Sequence, residues 1–360
     1  MKNYFGGTSV SPKEMLYSVI RVERDEWLLS APAFLDYNFC NFFEYAQAAA
    51  RRRGAKCEHV FIKDGARVLG AAAVRVFNIG FLPLGLAYVR WGPICKRDKS
   101  SYAEMFQVCL EGLIQHYVKE RHMVLRIVPP YREVQEMVCQ ANTLSNLGFR
   151  PSNDQAPHHS IIKAINCGDD ELRESLDKKW HYELRRALRV ELSLISGTSD
   201  KLFAQFEYLY SGLRRRKKFF VDQDAAFFRS VQARLSPTDR FDVYLATHKG
   251  QVVAGYVGSL VGDTAVYLLG ATDDRGLEYR AGYWLQWQVM RVARDKGMQW
   301  YDLNGFDRLT TPEVSRFKSR MGGREVIANG PVEIGTGLVS RVIGASSNIA
   351  RNGLMMLRRQ

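Results

Sequence analysis

The chain has 360 residues, which is enough for two domains that each bury a core. Its 46% hydrophobic and 25% charged residues are typical of a globular protein and exclude a chain that is disordered throughout. The 51 Lys and Arg against 38 Asp and Glu give a net charge of +13, which favours an anionic partner such as nucleic acid, a phosphorylated precursor or an acidic membrane surface.

The N-terminal residues MKNYFGGTSVSPKEM carry no apolar stretch behind their lysine, so we expect no secretory signal and a cytoplasmic protein. The longest apolar run, residues 79–89, is too short to span a bilayer. Six scattered cysteines without metal-ligand spacing predict free thiols and no metal site. We expect no cofactor other than the donor substrate itself. His158 and His159 would point to opposite faces of a strand, which argues against shared metal ligation.

The first half is predicted to begin with a helix over residues 34–53 and a hairpin turned at Asp64-Gly65. The strand LAYVRWGPI follows, and helices over residues 102–119 and 133–147 flank the strand MVLRIVPP. HHSIIKAI is the last strand of this half. The order indicates one mixed sheet of an α+β fold.

The second half repeats this order. A three-stranded meander is predicted with turns at Lys249-Gly250 and Gly262-Asp263, followed by a helix over residues 283–296 and a strand over residues 300–303. A duplicated α+β fold accounts for both halves. We therefore predict a first domain over residues 1–165, a second over residues 166–330 and a basic tail over residues 331–360.

The second half opens with the strongly basic segment ELRESLDKKWHYELRRALR. Its apolar residues recur every four positions and predict one buried helix stripe: Leu172, Leu176, Trp180, Leu184 and Leu188. Its cations, among them Lys178, Lys179, Arg185 and Arg186, occupy the remaining positions. They could hold a polyanion on one rigid surface, or form an ordinary solvated face.

A second basic cluster, residues 214–218, begins with Arg214, Arg215 and Arg216 and precedes two phenylalanines. Five consecutive cations need a compensating anion, which could be solvent ions, carboxylates of the fold or a substrate. The tail GLVSRVIGASSNIARNGLMMLRRQ could lie on an anionic membrane surface. We expect it instead to pack its apolar side back onto the domains.

The stretch WYDLNGFDRLTTPEVSRFKSRMGGRE predicts a short strand, a turn and a helix that begins near Pro312. This order brings Lys318 close to the end of the preceding strand. A lysine there can donate to a substrate phosphate or stabilise an oxyanion, although a solvated helix lysine has the same local pattern. Asp302, Asp307 or a group of the substrate is the candidate general base.

Within this stretch, YDLNGFD and RFKSRMGG resemble the C-terminal signature of the Fem family of aminoacyltransferases, which extend the peptide of cell-wall precursors from aminoacyl-tRNA. The segments VRWGPI, LDKKWHYELRRALR and FEYLYSGLRRRKKFF are similar to other family segments, so the resemblance extends over about residues 27–330. It implies two tandem domains of the GNAT acyltransferase fold, each a mixed sheet flanked by helices.

The resemblance also implies roles for individual residues. It places Phe317 and Lys318 at the acyl site, Arg216 at the phosphates of the acceptor and Tyr267 on the central strand of the meander. The inserted coiled-coil arm of some members has no room here. The first-domain lysine that binds precursor phosphates in the family has no clear counterpart, which leaves room for a different sugar or lipid-linked acceptor.

Acyl-CoA enzymes of this superfamily hold the pyrophosphate with backbone amides of a glycine-rich loop. In the equivalent stretch DDRGLEYRAGYWL, Gly276, Arg280 and Gly282 stand at the wrong spacing. We therefore expect amide formation on an anionic cell-envelope precursor from aminoacyl-tRNA, at the inner face of the membrane and without a stable protein partner. The alternatives are an acyl-CoA-dependent N-acyltransferase of polysaccharide biosynthesis and a non-catalytic module that binds RNA or membrane.

Overall fold

The computed structural model describes residues 17–78, 85–98, 100–152, 157–217, 223–305, 308–309 and 311–335. The strands, in chain order, are β1 Tyr17–Arg21, β2 Lys56–Asp64, β3 Arg67–Asn78, β4 Gly85–Arg90, β5 Val124–Val128, β6 Arg150–Pro151, β7 His159–Ala164, β8 Ser193–Gly197, β9 Asp242–His248, β10 Gln251–Val261, β11 Thr264–Thr272, β12 Trp300–Asp302, β13 Arg324–Ile327 and β14 Val332–Ile334. The helices are α1 Arg24–Ser30, α2 Phe43–Arg51, α3 Tyr102–Leu113, α4 Val134–Asn146, α5 Asp169–Glu174, α6 Lys178–Ala187, α7 Asp200–Lys217, α8 Ala225–Gln232, α9 Asp274–Glu278, α10 Ala281–Asp295 and α11 Pro312–Ser319.

These strands form two mixed sheets of seven strands, one in each lobe. The first-lobe sheet has the order β1-β2-β3-β4-β5-β14-β6 and the second-lobe sheet the order β13-β7-β12-β11-β10-β9-β8. Each sheet has helices packed against it, and a large aromatic cluster with members from both lobes fills the space between them. The predicted α+β class and the duplicated layout are confirmed.

Each lobe contains one parallel pair of neighbouring strands, β4 with β5 and β11 with β12. The second pair is short, because β11 and β12 are in register only over residues 264–266 and 300–302. Beyond Val266, β11 continues for six residues to Thr272, while the chain after Asp302 turns away. The two strands therefore diverge and leave a gap, which we call the β11–β12 gap.

Two strands cross between the lobes. β7 pairs with β12 and β13 in the second-lobe sheet, although the predicted boundary at residue 165 falls after it. β14 returns to the first-lobe sheet between β5 and β6. Of the predicted tail over residues 331–360, the structure describes only residues 331–335.

The turn between β10 and β11 packs against the first lobe. Asp263 receives ion pairs from Lys96 at 3.4 Å and from Arg132 at 3.2 Å, and all three side chains are buried. Gly262 has φ +61°, and a Cβ atom there would lie 2.5 Å and 2.6 Å from two first-lobe carbonyl oxygens. Only glycine therefore allows this turn to approach the other lobe so closely.

Two predicted helices differ in the structure. The helix expected from residue 34 begins only at Phe43, after a short 3₁₀ turn over Phe39–Asn41. The basic segment forms two helices, because Asp177 is extended and its carboxylate caps α6 by accepting from the backbone amide of Lys179. The first four residues of the predicted apolar stripe are buried, whereas Leu188 is 46% exposed.

Candidate functional site

Lys318 lies at the mouth of the β11–β12 gap. Its Nζ donates to the carbonyl oxygen of Gly305 at 2.8 Å and to that of Asn304 at 3.5 Å. The left-handed φ of Asn304, 57°, turns the chain sharply after β12. The ammonium also stands 5.2 Å from the centroid of the Tyr267 ring on β11. Lys318 thus bridges the two diverging strands with 6% of its surface exposed.

Burial sets the charge state of this lysine. Loss of hydration lowers the pKa of Lys318 to about 8, and the nearby Asp302 carboxylate opposes that change. The ammonium form is therefore the main form at neutral pH and gives up its proton far more readily than a surface lysine. An ammonium in such an environment interacts strongly with developing negative charge, because little water competes for it.

Asp302 stands at the end of β12 and connects three parts of the chain. Its carboxylate accepts hydrogen bonds from the hydroxyl of Ser160 on β7, from the amide of Asn304 at 2.7 Å and from the hydroxyl of Tyr131 at 3.1 Å. Burial raises the pKa of Asp302 although these donors oppose it. Since Tyr131 belongs to the first lobe, this carboxylate lies where the two lobes meet.

His158 also belongs to this region, although sequence reasoning considered it only as a metal ligand and rejected that role. Its ring packs 5.2 Å from Tyr131 and 5.6 Å from Trp91, and its buried Nε2 has no hydrogen-bond partner. Burial, with Arg90 and Lys318 nearby, lowers its pKa to about 3. The imidazole is therefore neutral, and no local sequence signal could have placed it here.

Tyr267 contributes the β11 side of the gap. It lies on the third strand of the meander, β11, and not on the central strand, β10, where it was predicted. Its ring stacks on Tyr256 with 5.3 Å between centroids, and burial raises its pKa to about 12. The hydroxyl of neighbouring Tyr301 donates to Gln286. The Tyr267 hydroxyl is thus neutral at physiological pH.

Phe317, the neighbour of Lys318, points to the other side of α11. Its ring lies 5.0 Å from Tyr283 and 6.2 Å from Trp180, which come from α10 and α6. These contacts anchor α11 on the second-lobe core. Asp307, the other carboxylate proposed as a base, lies outside the described residues.

The predicted basic cluster at the end of α7 is compensated largely by carboxylates of the fold. Arg214 pairs with Asp224, Arg216 with Asp274 and Lys217 with Glu313, at 2.7, 2.7 and 2.8 Å. Arg216 also donates to the carbonyl oxygen of Thr272, the last residue of β11. Thr272 is five residues from Tyr267, about 17 Å along a strand, so Arg216 and Lys318 stand at opposite ends of the open part of β11.

The other predicted cations lie further out. Arg215 is exposed and lines a cavity of about 1130 Å³ between α7, β10 and α9. The cations of α6, which are Lys178, Lys179, Arg185 and Arg186, are all exposed. Glu183 on the same helix pairs with Arg280 at 2.9 Å and with Arg186 at 3.5 Å. The structure therefore does not bring these side chains to the gap.

The connection from β11 to α10 bears on the donor. Asp273 caps α9 by accepting from the amide of Gly276 at 2.7 Å, and Asp274 follows it. A Cβ atom at Gly276 would lie 2.1 Å from the carbonyl oxygen of Val253, so this glycine is required by packing. Two carboxylates thus stand where an acyl-CoA enzyme would present free amides to a pyrophosphate.

Within the described part of the chain, no helix is both long enough and apolar enough to cross a membrane. No cluster of three or more potential metal-binding His, Cys, Asp or Glu side chains occurs among those same residues.

Comparisons with known proteins agree with this architecture. A family model described as an acetyltransferase (GNAT) domain matches residues 173–319. A curated relative, lipid II:glycine glycyltransferase of Staphylococcus haemolyticus (strain JCSC1435), is 26% identical over 110 residues, which are 30% of this chain and 25% of that protein. The chain thus matches about a quarter of the length of that relative.

Solved structures show the same fold over most of the chain. The crystal structure of FemX superposes with a TM-score of 0.72 at 17% identity and covers 88% of this chain and 96% of its own. A conserved protein of unknown function from Bacteroides thetaiotaomicron VPI-5482 gives a TM-score of 0.54 at 11% identity and covers 88% and 97%. Together with the sequence matches, these structures confirm the tandem GNAT fold and the resemblance of the chain to the Fem-type aminoacyltransferases.

Proposed function

We propose that this protein is an aminoacyltransferase that forms an amide bond on an anionic cell-envelope precursor, with aminoacyl-tRNA as the donor. The observation that carries the proposal is the Lys318 ammonium, which is buried at the mouth of the β11–β12 gap beside the junction of the lobes. The name of the staphylococcal relative gives lipid II as its acceptor, which agrees with a phosphorylated acceptor here.

In the proposed reaction the acceptor amine attacks the carbonyl carbon of the aminoacyl ester. A C–N bond forms and the carbonyl oxygen acquires negative charge, which Lys318 stabilises by donating a hydrogen bond. The C–O bond of the ester then breaks and the amide is released. The departing ribose oxygen takes the proton that the amine loses, so that the donor leaves as a neutral hydroxyl.

Asp302 has a supporting role in this scheme. Its carboxylate already accepts three hydrogen bonds, and an anion beside Lys318 favours the charged form of the lysine. It therefore fixes the turn after β12 and favours the protonated form of Lys318. The leaving oxygen of the donor acts as the base. We further propose that Arg216, at the far end of the open part of β11, binds a phosphate of either substrate in place of its ion pair with Asp274.

The choice of donor rests on the β11–α10 connection. The amide of Gly276 is already used by Asp273, so it is not available to the pyrophosphate of CoA. A donor held by side-chain cations such as Arg215 and the α6 residues does not need that amide. This arrangement supports aminoacyl-tRNA over acyl-CoA.

The test is to incubate the purified chain with a lipid-linked cell-envelope precursor and either radiolabelled aminoacyl-tRNA or radiolabelled acetyl-CoA. We expect label in the precursor from aminoacyl-tRNA, and loss of that label with Lys318→Met. Label from acetyl-CoA alone would replace the proposal with an acyl-CoA-dependent N-acyltransferase. Absence of product with both donors, with RNA binding that falls steeply with salt, would indicate a non-catalytic binding module.

A further inference from the structure

The imidazole ring of His158 contacts both the first lobe and the turn that follows β12. Its centroid lies 5.2 Å from that of the Tyr131 ring and 5.6 Å from that of the Trp91 ring, and both of these rings belong to the first lobe. The imidazole also faces the backbone of Gly305. A Cβ atom added at Gly305 would lie 3.1 Å from Cε1 of His158 and 3.7 Å from its Nδ1. One side chain therefore connects the first lobe with this turn.

The first-lobe side of this contact is firmly held. Trp91 has a left-handed φ of 52°, which is strained for a bulky residue. Its backbone amide donates to the carbonyl oxygen of Val128 at 2.6 Å. Its carbonyl oxygen accepts hydrogen bonds from the side-chain amides of Asn38 and Asn41 at 3.0 and 3.1 Å. These three hydrogen bonds fix the backbone that carries the indole, so the indole is a rigid support for the His158 ring.

The other side of the contact carries the candidate catalytic charge. Nζ of Lys318 donates to the carbonyl oxygen of Gly305 at 2.8 Å, so the position of this carbonyl group sets the position of the ammonium. The amide of Gly305 donates to the side-chain oxygen of Asn304 at 2.7 Å. Gly305 itself is exposed and has no side chain to anchor it. The His158 ring therefore limits how far the turn can move towards the first lobe.

The His158 ring holds this place through its shape. Its buried Nε2 has no hydrogen-bond partner among the residues that the structure describes. Burial lowers its pKa to about 3, so the ring carries no charge at neutral pH. Packing against its neighbours is therefore the interaction that counts, and a flat ring without nitrogen atoms would make the same contacts.

We infer that His158 is a positioning residue, whose ring relates the first lobe to the carbonyl group of Gly305 and so fixes the Lys318 ammonium at the β11–β12 gap. Its consequence for acyl transfer rests on the proposed function. A donor that stabilises an oxyanion must be held in place before the reaction, and a misplacement of ~1 Å can lower a rate by about 100-fold. Lys318 is therefore competent only while the two lobes are packed together around His158.

The first test measures stability and does not depend on turnover. Urea unfolding is followed from pH 7 to pH 10 for the full-length wild type, His158→Ala and Gly305→Ala, each beside the same protein with Lys318→Met. The difference within each pair isolates the stability that Lys318 gains with rising pH, because its pKa in the folded protein is about 8. His158→Ala removes the contact, and the methyl group of Gly305→Ala pushes the turn and the ring apart.

Both changes should admit water to the ammonium, so the gain between pH 7 and pH 10 should fall to about half of the wild-type gain or less. The charged or titratable side chains that face Lys318 are Asp302 and Tyr267, and neither variant alters them. Since His158 is neutral, its loss removes no charge. A smaller gain would therefore report hydration of Lys318.

The second test measures acyl transfer. His158→Ala and Gly305→Ala should each lower kcat about tenfold or more and change KM little, because Lys318 acts on the transition state. In the double variant the second change should add little, because the contact is already lost. His159→Ala is the matched control, since this neighbour on β7 is exposed, and it should behave as the wild type.

His158→Phe separates the shape of the ring from its chemistry. Phenylalanine keeps a flat ring of similar size and removes an unpaired polar atom, so this variant should retain kcat and the pH-dependent gain, with a thermal midpoint that equals or exceeds that of the wild type. Loss of transfer in His158→Phe with the gain intact would show that an imidazole nitrogen takes part in the reaction, and would overturn the inference.

Two other results would overturn it as well. One is an unchanged pH-dependent gain in both His158→Ala and Gly305→Ala, and the other is an effect of these two changes on kcat that is fully additive. If His158→Ala does not fold, Gly305→Ala and His158→Phe still decide between these outcomes. A wild type that transfers no acyl group would refute the proposed function, whereas the pH-dependent gain would still test this contact.

Discussion

Replacing Lys318 with methionine tests whether its ammonium group is desolvated at the β11–β12 gap. Its pKa falls from 10.5 in the unfolded chain to about 8 in the folded protein, so the unfolded chain binds more protons between these two pH values. Stability contributed by this residue therefore rises with pH through that window. The linkage relation gives a gain of ~2.5 kcal/mol between pH 7 and pH 10.

Methionine has a similar length and no titratable group, so Lys318→Met should lack this gain. Urea unfolding of both proteins at pH 7, 8, 9 and 10 measures it, and the stability of the wild type relative to the variant should increase by ~2.5 kcal/mol across the series. The hydrogen bonds lost to the carbonyl groups of Asn304 and Gly305 add an offset that does not depend on pH. Other titrating groups are shared and cancel on subtraction.

Lys163 offers a matched control for this experiment. It is 2% exposed, and burial lowers its pKa to about 8 as well, but its Nζ donates to Ser175. The stability of Lys163→Met relative to the wild type should therefore depend on pH in the same way as that of Lys318→Met. Lys163→Met should retain acyl transfer, whereas the rate of acyl transfer by Lys318→Met should fall by orders of magnitude. A wild-type minus Lys318→Met difference that is constant from pH 7 to pH 10 would show that Lys318 is hydrated and would refute the reasoning.

Three other substitutions test the surroundings of the gap. The wild-type rate should fall as pH rises through about 8, because Lys318 then loses its proton. Asp302→Asn should move this limb of the pH profile to lower pH, because the carboxylate favours the charged lysine. An unmoved limb would show that Asp302 does not influence the charge of Lys318. Phe317→Leu should lower the free energy of unfolding in urea by about 1 kcal/mol and leave turnover unchanged, since the ring packs on Trp180 and Tyr283. A large loss of turnover would instead give the ring a role at the acyl group. Gly262→Ala should destabilise the protein by ~1–3 kcal/mol, because φ is +61° and the new methyl group would meet two first-lobe carbonyl groups. An unchanged thermal midpoint in calorimetry would contradict the close approach of the turn.

The sequence predicted the elements of the second half well because its signals are local. The turns at Lys249-Gly250 and Gly262-Asp263 and the helix that begins at Pro312 follow from glycine, proline and the spacing of apolar residues. Lys318 became a candidate through the resemblance of one short stretch to a family motif. Its burial was not predictable from that stretch, because it depends on the divergence of β11 from β12 and on the approach of the first lobe.

Long-range contacts account for what the sequence did not reveal. Tyr131 and Asp302 are 171 positions apart, and no periodicity indicates that they share a hydrogen bond. The pairing of β7 is similar, since an apolar strand does not specify which sheet it joins. For the basic cluster at the end of α7, the sequence showed the charges and not their partners. Its excess charge is evident in the sequence, and the carboxylates that compensate it come from residues 224, 274 and 313.

The exchange of β7 and β14 restricts how the two halves can be handled and how they can move. A contiguous piece that stops at residue 165 would carry β7 without its neighbours β12 and β13, and a piece that starts at residue 166 would carry β14 without β5. Expressing residues 1–165 and residues 166–360 as separate chains would therefore produce two incomplete sheets. In the intact molecule the polypeptide passes from lobe to lobe twice, which disfavours wide hinge opening. Substrates would then enter the β11–β12 gap through small adjustments of side chains or turns.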